Sequence, residues 1–287
     1  MFVSPHPDRE RRLALPDGRV LASAEFGPAD GRPVLFVPGA ASGRLMSFGP
    51  ELLADAGVRL VSVDRPGLGA SSPHPGHSLG SVADDLAALA RELSDEPIPV
   101  VANSQGAPFA LALATRWPLA RLVLAAPADE VALPATRAQL PEDFRELIDR
   151  VAADPLGSEA LFSGFTAGGF CDFVLGQVAP EDAAVYEDPD FRAGFLAVVQ
   201  DALRAGGAGY ARNTVLAMSP WRLPLADLEL PVELWFGAAD TGHSPDLGET
   251  LASRIPGASR RIVSGSGGAL LWHRPELILG AALESAD

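Results

Sequence analysis

Ser104 stands in the most informative stretch of the chain, Val100-Val101-Ala102-Asn103-Ser104-Gln105-Gly106-Ala107-Pro108-Phe109. An apolar run leads into a serine with small residues two positions before and two after it, and an alanine-rich helical pattern follows. A serine at the apex of a strand-to-helix turn needs small neighbours there because the backbone passes very close, which is the logic of the G-x-S-x-G elbow. Ala102 keeps that logic with one extra methyl. Such a turn lifts the hydroxyl above the sheet edge, and the N–H of Gln105, at the helix start, can bind a developing oxyanion. A second donor is expected from the loop Pro38-Gly39-Ala40-Ala41-Ser42-Gly43, at the Ala40 N–H, although an ordinary glycine-containing turn would read the same way.

The elements that must carry these residues show in the hydrophobic pattern. Arg12–Leu15 and Arg19–Ala22, separated by Pro16-Asp17-Gly18, predict a β-hairpin. Short apolar, β-branched runs at Pro33–Val37, Arg59–Val63, Ile98–Ala102, Leu122–Ala125, Val232–Phe236 and Arg261–Val263 predict strands buried on both faces. Amphipathic stretches at Phe48–Ala56, Val82–Leu93, Gly106–Trp117, Leu247–Ile255 and Leu270–Leu283 predict helices between them. This alternation implies an α/β fold with a mostly parallel sheet covered on both sides. From Asp129 to Leu225 no strand-like run occurs. Helical fragments at Pro141–Ala152, Ser158–Gly164 and Asp190–Arg204 suggest an insertion, whose ten aromatic residues could line an apolar pocket or simply pack the insertion itself.

Composition bounds the chemistry. At ~150 residues per domain, 287 residues suggest two domains or one large domain with an insertion. No run approaches the ~20 apolar residues of a spanning helix. The opening, Met1 to Arg9, has no apolar segment of the signal-peptide kind, so a cytoplasmic location is expected. All 22 basic residues are arginine and the net charge is −15. Without lysine there is no Schiff base and no P-loop lysine, and so acidic a chain has no attraction for nucleic acid or an anionic membrane. The expected partner is a small-molecule substrate, and a homo-oligomer stays open. The single cysteine, Cys171, reads as a small core residue. Five scattered histidines show no metal-ligand spacing, so neither metal nor cofactor is expected. Ser264-Gly265-Ser266-Gly267-Gly268 is glycine-rich but lacks the context of a phosphate loop.

Three further motifs complete a pattern. Val61-Ser62-Val63-Asp64-Arg65-Pro66-Gly67-Leu68-Gly69-Ala70-Ser71 is a glycine turn after an early strand. Gly209-Tyr210 and Pro220-Trp221 close the inserted stretch, and Pro231-Val232-Glu233-Leu234-Trp235-Phe236-Gly237-Ala238-Ala239-Asp240 is a late strand ending in G-x-x-D. With the elbow, these resemble the α/β-hydrolase family along nearly the whole chain. The resemblance implies a core of residues 1–128 and 226–287, with a helical cap or lid at 129–225. It makes Ser104 the nucleophile and Asp240 the acid of a Ser-Asp-His triad, in the family's chain order. Asp129, after the strand at Leu122–Ala125, is the alternative acid. Asp64 is read as bracing its own turn.

The third member departs from the family. Gly268, 28 residues after Asp240, stands where the family keeps its histidine. A serine without a base is a poor nucleophile. His243, three residues from Asp240, would have to fold back to serve. His273 lies five residues past the expected position, inside a predicted helix, and His74 and His77 sit in a Pro/Gly-rich loop. A site with no histidine stands beside these alternatives. Two functions follow: a serine hydrolase of an ester, thioester or lactone of an apolar small molecule, with its base relocated, supplied by substrate or removed by mutation; or a non-hydrolytic protein that binds a ligand or orients a reactive intermediate. If the position at 268 is simply vacant, Ser104 labels weakly with a fluorophosphonate and Gly268→His restores labelling.

Overall fold

The computed structural model describes residues 6–284. Residues 1–5, which begin the opening stretch discussed above, lie outside the described residues. One sheet contains β1 (Arg9–Ala14), β2 (Val20–Phe26), β3 (Arg32–Val37), β4 (Val58–Val63), β5 (Pro99–Ser104), β6 (Arg121–Pro127), β7 (Val232–Gly237) and β8 (Ser259–Val263). Their order is β1-β2-β4-β3-β5-β6-β7-β8. β1 and β2 form the expected hairpin, β2 also runs antiparallel to β4, and all other neighbours are parallel. This is the α/β architecture expected from the strand–helix alternation.

In chain order the helices are α1 (Leu79–Leu93), α2 (Ala107–Ala114), α3 (Pro134–Arg137), α4 (Glu142–Ala153), α5 (Pro155–Phe162), α6 (Ala167–Leu175), α7 (Ala183–Tyr186), α8 (Pro189–Ala202), α9 (Ala208–Met218), α10 (Glu249–Ser253), α11 (Leu270–His273) and α12 (Pro275–Leu283). Side chains alternate across a strand, so the two faces of the sheet have separate cores. Val100, Ala102, Leu122 and Leu124 pack with α1 and α2 on one face. On the other, Val101, Val123 and Ala125 join a core that includes α11, α12 and residues of the helical excursion α3–α9. That excursion leaves the sheet after β6 and returns at β7, and no strand interrupts it. No helix among the described residues is long and apolar enough to cross a membrane.

Three expected helices differ in the structure. Phe48–Ala56 is a series of turns, bracketed by Gly49 at φ +52° and Gly57 at φ +61°, both incompatible with a continuing right-handed helix. Leu247 and Gly248, at φ +52° and +76°, delay α10 until Glu249. The last helix is two: Pro275 bars the helical conformation from Arg274, which sits at φ −135° and ψ 53°, so α11 ends at His273. α6 and α9 show no one-sided apolar stripe in the sequence: α6 is apolar almost throughout, and α9 buries Asn213 and Thr214 among its apolar residues.

Asp64 follows β4 and is fully buried. Its carboxylate accepts from the N–H of Arg44 (2.7 Å) and Ala70 (2.7 Å) and pairs with the Arg44 guanidinium (3.2 Å). Gly43 and Gly69 lie so close that a Cβ on either would stand 2.0 and 2.3 Å from its oxygens. Asp64 therefore braces its own turn, as expected, and the turn at Gly43–Arg44 as well. Arg44 is also held by Glu10 of β1 and Asp201 of α8, which ties the excursion to the sheet. Asp64→Ala leaves a buried arginine and two N–H groups short of a partner. The expected cost is about 3–5 kcal/mol in urea unfolding; a loss below ~1 kcal/mol would contradict the bracing role.

Candidate active site

The serine expected as nucleophile lies at the end of β5, where the ladder to β6 carries a register shift between Asn103 and Ser104. Ser104 has φ +49°, a left-handed backbone that a residue with a Cβ enters only at a cost. The turn is closed by the Gly106 N–H on the Asn103 carbonyl at 2.7 Å. A Cβ on Gly106 would lie 2.1 Å from the Val37 carbonyl oxygen and 2.7 Å from that of Pro38. The glycine is thus required by backbone crowding, while Ala102 fits, fully buried, at the other small position.

His243 faces this serine. Its Nε2 lies 3.0 Å from Ser104 Oγ, and its Nδ1 lies 3.1 and 3.0 Å from the two carboxylate oxygens of Asp240. A carboxylate only accepts, so Nδ1 carries the proton and Nε2 presents its lone pair to the serine hydroxyl. The fold-back that a three-residue separation demands is made by Asp240 itself. Its Oδ1 accepts from the N–H of Gly242 (3.0 Å) and His243 (3.2 Å), bending the loop after β7 into a turn.

Burial alone would raise the Asp240 pKa, but the His243 charge, its hydrogen bond and the two loop N–H groups hold the carboxyl below the ordinary value. Burial pulls the imidazole of His243 down, and Asp240, helped by Asp182, more than offsets it, so the pKa lies above 6.5. The pair favours the charged imidazolium next to a carboxylate, the state produced when the imidazole takes a proton from serine.

Gly268 explains why this arrangement has room. A Cβ there would lie 3.0 Å from His243 Cε1, 3.3 Å from Nδ1 and 3.6 Å from Asp240 Oδ1. The space beside Gly268 is taken by the imidazole of His243, arriving from the adjacent loop. His273 is directed elsewhere, with Nδ1 3.0 Å from Ser266 Oγ. His77 is buried and bonded to the Asn213 side chain at 2.9 Å and the His74 carbonyl. Asp129, the alternative acid, accepts from Ser244 Oγ (2.8 Å) and the Glu130 N–H, and its own N–H donates to the His243 carbonyl at 3.1 Å. It steadies the loop rather than touching the ring. Burial lifts the Cys171 thiol to about 11, against any nucleophilic role.

The loop expected to hold an oxyanion donor abuts Ser104: a Cβ on Gly39 would be 3.2 Å from the serine Cβ. Arg65, fully buried, donates to the carbonyls of Pro38 and Gly39, the latter at 2.8 Å. In a trans peptide the N–H points opposite to the C=O, so fixing the Gly39 carbonyl turns the Ala40 N–H away from Arg65. The Gln105 side chain donates to Thr214 Oγ1 of α9 at 3.1 Å. Sequence reasoning quoted Arg65 within its motif without assigning this task. It missed Asp182, for which no local pattern gave a signal. Among the described residues no three His, Cys, Asp or Glu side chains are placed to hold a metal ion.

Comparison with known proteins agrees with the architecture. The family model for the alpha/beta hydrolase fold matches residues 32–162. A curated relative, the uncharacterized hydrolase YcgS of Bacillus subtilis, is 31% identical over 102 residues, or 36% of this chain, which spans only 35% of YcgS. A hydrolase structure from Pseudomonas aeruginosa is similar with a TM-score of 0.70 at 22% identity, covering 97% of this chain and 98% of that one. A thermophilic esterase from Thermogutta terrifontis gives 0.69 at 23%, covering 95% and 96%. Est816, an N-acyl homoserine lactone degrading enzyme, gives 0.66 at 19%, covering 94% and 98%.

Gly106→Ala tests the crowding at the elbow. Its methyl meets backbone oxygen that has nowhere to go, and the expected loss is about 1–3 kcal/mol in thermal unfolding; an unchanged melting temperature would contradict the packing described.

Proposed function

We propose that this chain, which has the α/β-hydrolase fold, is a serine hydrolase whose base is His243. Ser104 attacks the carbonyl carbon of an ester, thioester or lactone, His243 takes the hydroxyl proton on Nε2, and Asp240 stabilises the imidazolium. The tetrahedral oxyanion is held by the N–H groups of Ala40 and Gln105. The same imidazolium returns its proton to the leaving oxygen or sulfur, and water repeats the sequence on the acyl-enzyme. The observation that carries this reading is the continuous chain Asp240–His243–Ser104, with both links near 3.0 Å. The non-hydrolytic alternative rested on a site without a base and loses that support.

A largely apolar substrate suits the cavity of about 250 Å³ between α6 and α8, lined by Leu175, Tyr186, Phe191, Phe195 and Leu196 together with the charged Asp172 and Arg192. Burial raises the phenol pKa of Tyr186 in that lining, and the charges of Asp182 and Asp240 add to the rise. Residues 129–225 would then act as the cap over Ser104. A soluble small molecule is the proposed partner, and a cytoplasmic location fits it.

Hydrolysis of p-nitrophenyl esters and a simple γ-lactone tests the reading. The wild type turns over at least one of them; His243→Ala lowers kcat by about 10⁴-fold or more, while His273→Ala leaves it near the wild-type value. Gly268→His slows the enzyme by crowding His243. Activity that survives in His243→Ala would contradict the assignment.

The base must be neutral to accept a proton, and its folded pKa is raised. The acid limb of kcat/KM therefore has its midpoint above 6.5, flat on the alkaline side and falling about tenfold per pH unit below. A midpoint clearly below 6.5 would contradict the balance of charges described around His243.

A further inference from the structure

Asp182 belongs to the helical excursion and precedes α7, yet its carboxylate leaves that segment altogether. The residue is 1% exposed. Its Oδ1 accepts from the Gly267 N–H at 2.8 Å and its Oδ2 from the Ala269 N–H at 2.9 Å. These are the two residues flanking Gly268, which packs against the His243 ring. Gly267 completes the fit, since a Cβ there would lie 2.6 Å from Asp182 Oδ2 and 3.0 Å from the Ala179 Cβ. A buried carboxylate bound by two N–H groups of one turn fixes that turn in a single position.

We propose that Asp182 is a positioning residue for the base: carried by the inserted helices, it pins the Gly267–Ala269 turn behind His243 so that Nε2 meets Ser104. The inference rests on the serine-hydrolase reading. Its consequence is that the catalytic group is complete only while the excursion is docked on the turn after β8. The same carboxylate adds negative charge beside the imidazole. The other ionisable groups nearby are Asp240 on the same loop as the ring, Tyr186 at the end of α7, which feels the charges of Asp182 and Asp240, and Asp129 after β6, which holds the loop through Ser244 and the His243 carbonyl. Asp182 is the carboxylate among them that binds the Gly267–Ala269 turn.

Asp182→Asn is close in shape but has one amide oxygen for two N–H donors and no charge. In folded protein, checked by circular dichroism, kcat on the best p-nitrophenyl ester is expected to fall about 10- to 100-fold. KM should stay nearly constant, and the acid limb of the pH profile should move to lower pH because a stabiliser of the imidazolium is gone. Gly267→Ala is the second variant: its methyl displaces the carboxylate without removing it, and kcat should fall again. Wild-type rates and an unmoved limb in Asp182→Asn, or slower turnover with the limb unmoved, would overturn the proposal, the latter by reducing Asp182 to a structural role. Failure of the underlying reading shows differently, as activity retained in His243→Ala or Ser104→Ala.

Discussion

The imidazole of His243 has to satisfy two partners at once while lying only three residues from one of them. That is a severe constraint on a loop. A histidine so near its aspartate would ordinarily project away from it, and here the turn is forced by Asp240 accepting the N–H groups of Gly242 and His243 before it meets the ring. The ring then needs space, and Gly268 supplies it by having no side chain. The flanking N–H groups of that turn are held by Asp182, and the His243 carbonyl is held by Asp129. Asp182 thus confines the turn behind the ring through its carboxylate, and Asp129 confines the His243 loop through its backbone N–H and, by its carboxylate, through Ser244.

The other half of the site depends on crowding rather than charge. Ser104 is held in a left-handed conformation by a turn whose Gly106 lies against the carbonyls of Val37 and Pro38. The same neighbouring loop is fixed from behind by Arg65, whose guanidinium lies 4.9 Å from the centre of the Phe109 ring at the start of α2. The strand ends, the elbow and the Pro38–Gly43 loop are therefore one packed unit at the carboxyl edge of the sheet, where open parallel sheets place their sites. Strain at Ser104 persists because the elements around it are buried and overdetermine it.

Much of this could be read in the sequence, for identifiable reasons. The central strands are short and largely apolar on both faces, so β3 to β7 are legible, whereas β1 and β8 at the edges are mostly exposed; the elbow and Asp240 follow from small residues at fixed offsets. The edges were harder. The turns at Phe48–Ala56 carry a helical spacing of apolar residues, but the positive φ of Gly49 and Gly57 is a property of the folded backbone. His273 was misplaced in a single last helix because Pro275 reads equally as a first-turn residue of a second one. For the histidine that faces Ser104, sequence distance is a poor guide: His243 stands beside three other candidates until the turn of its loop is seen. Asp182 lies 61 residues before His243 in a stretch with no motif, and only the docking of the excursion brings it near.

Whether His243 activates Ser104 is open to direct measurement by the rate at which a fluorophosphonate labels the serine, followed by mass spectrometry of the modified peptide. The wild type should label at Ser104, and His243→Ala should slow that reaction by at least about 10³-fold, with His273→Ala labelling as the wild type does. Equal labelling rates in the wild type and His243→Ala would contradict the account.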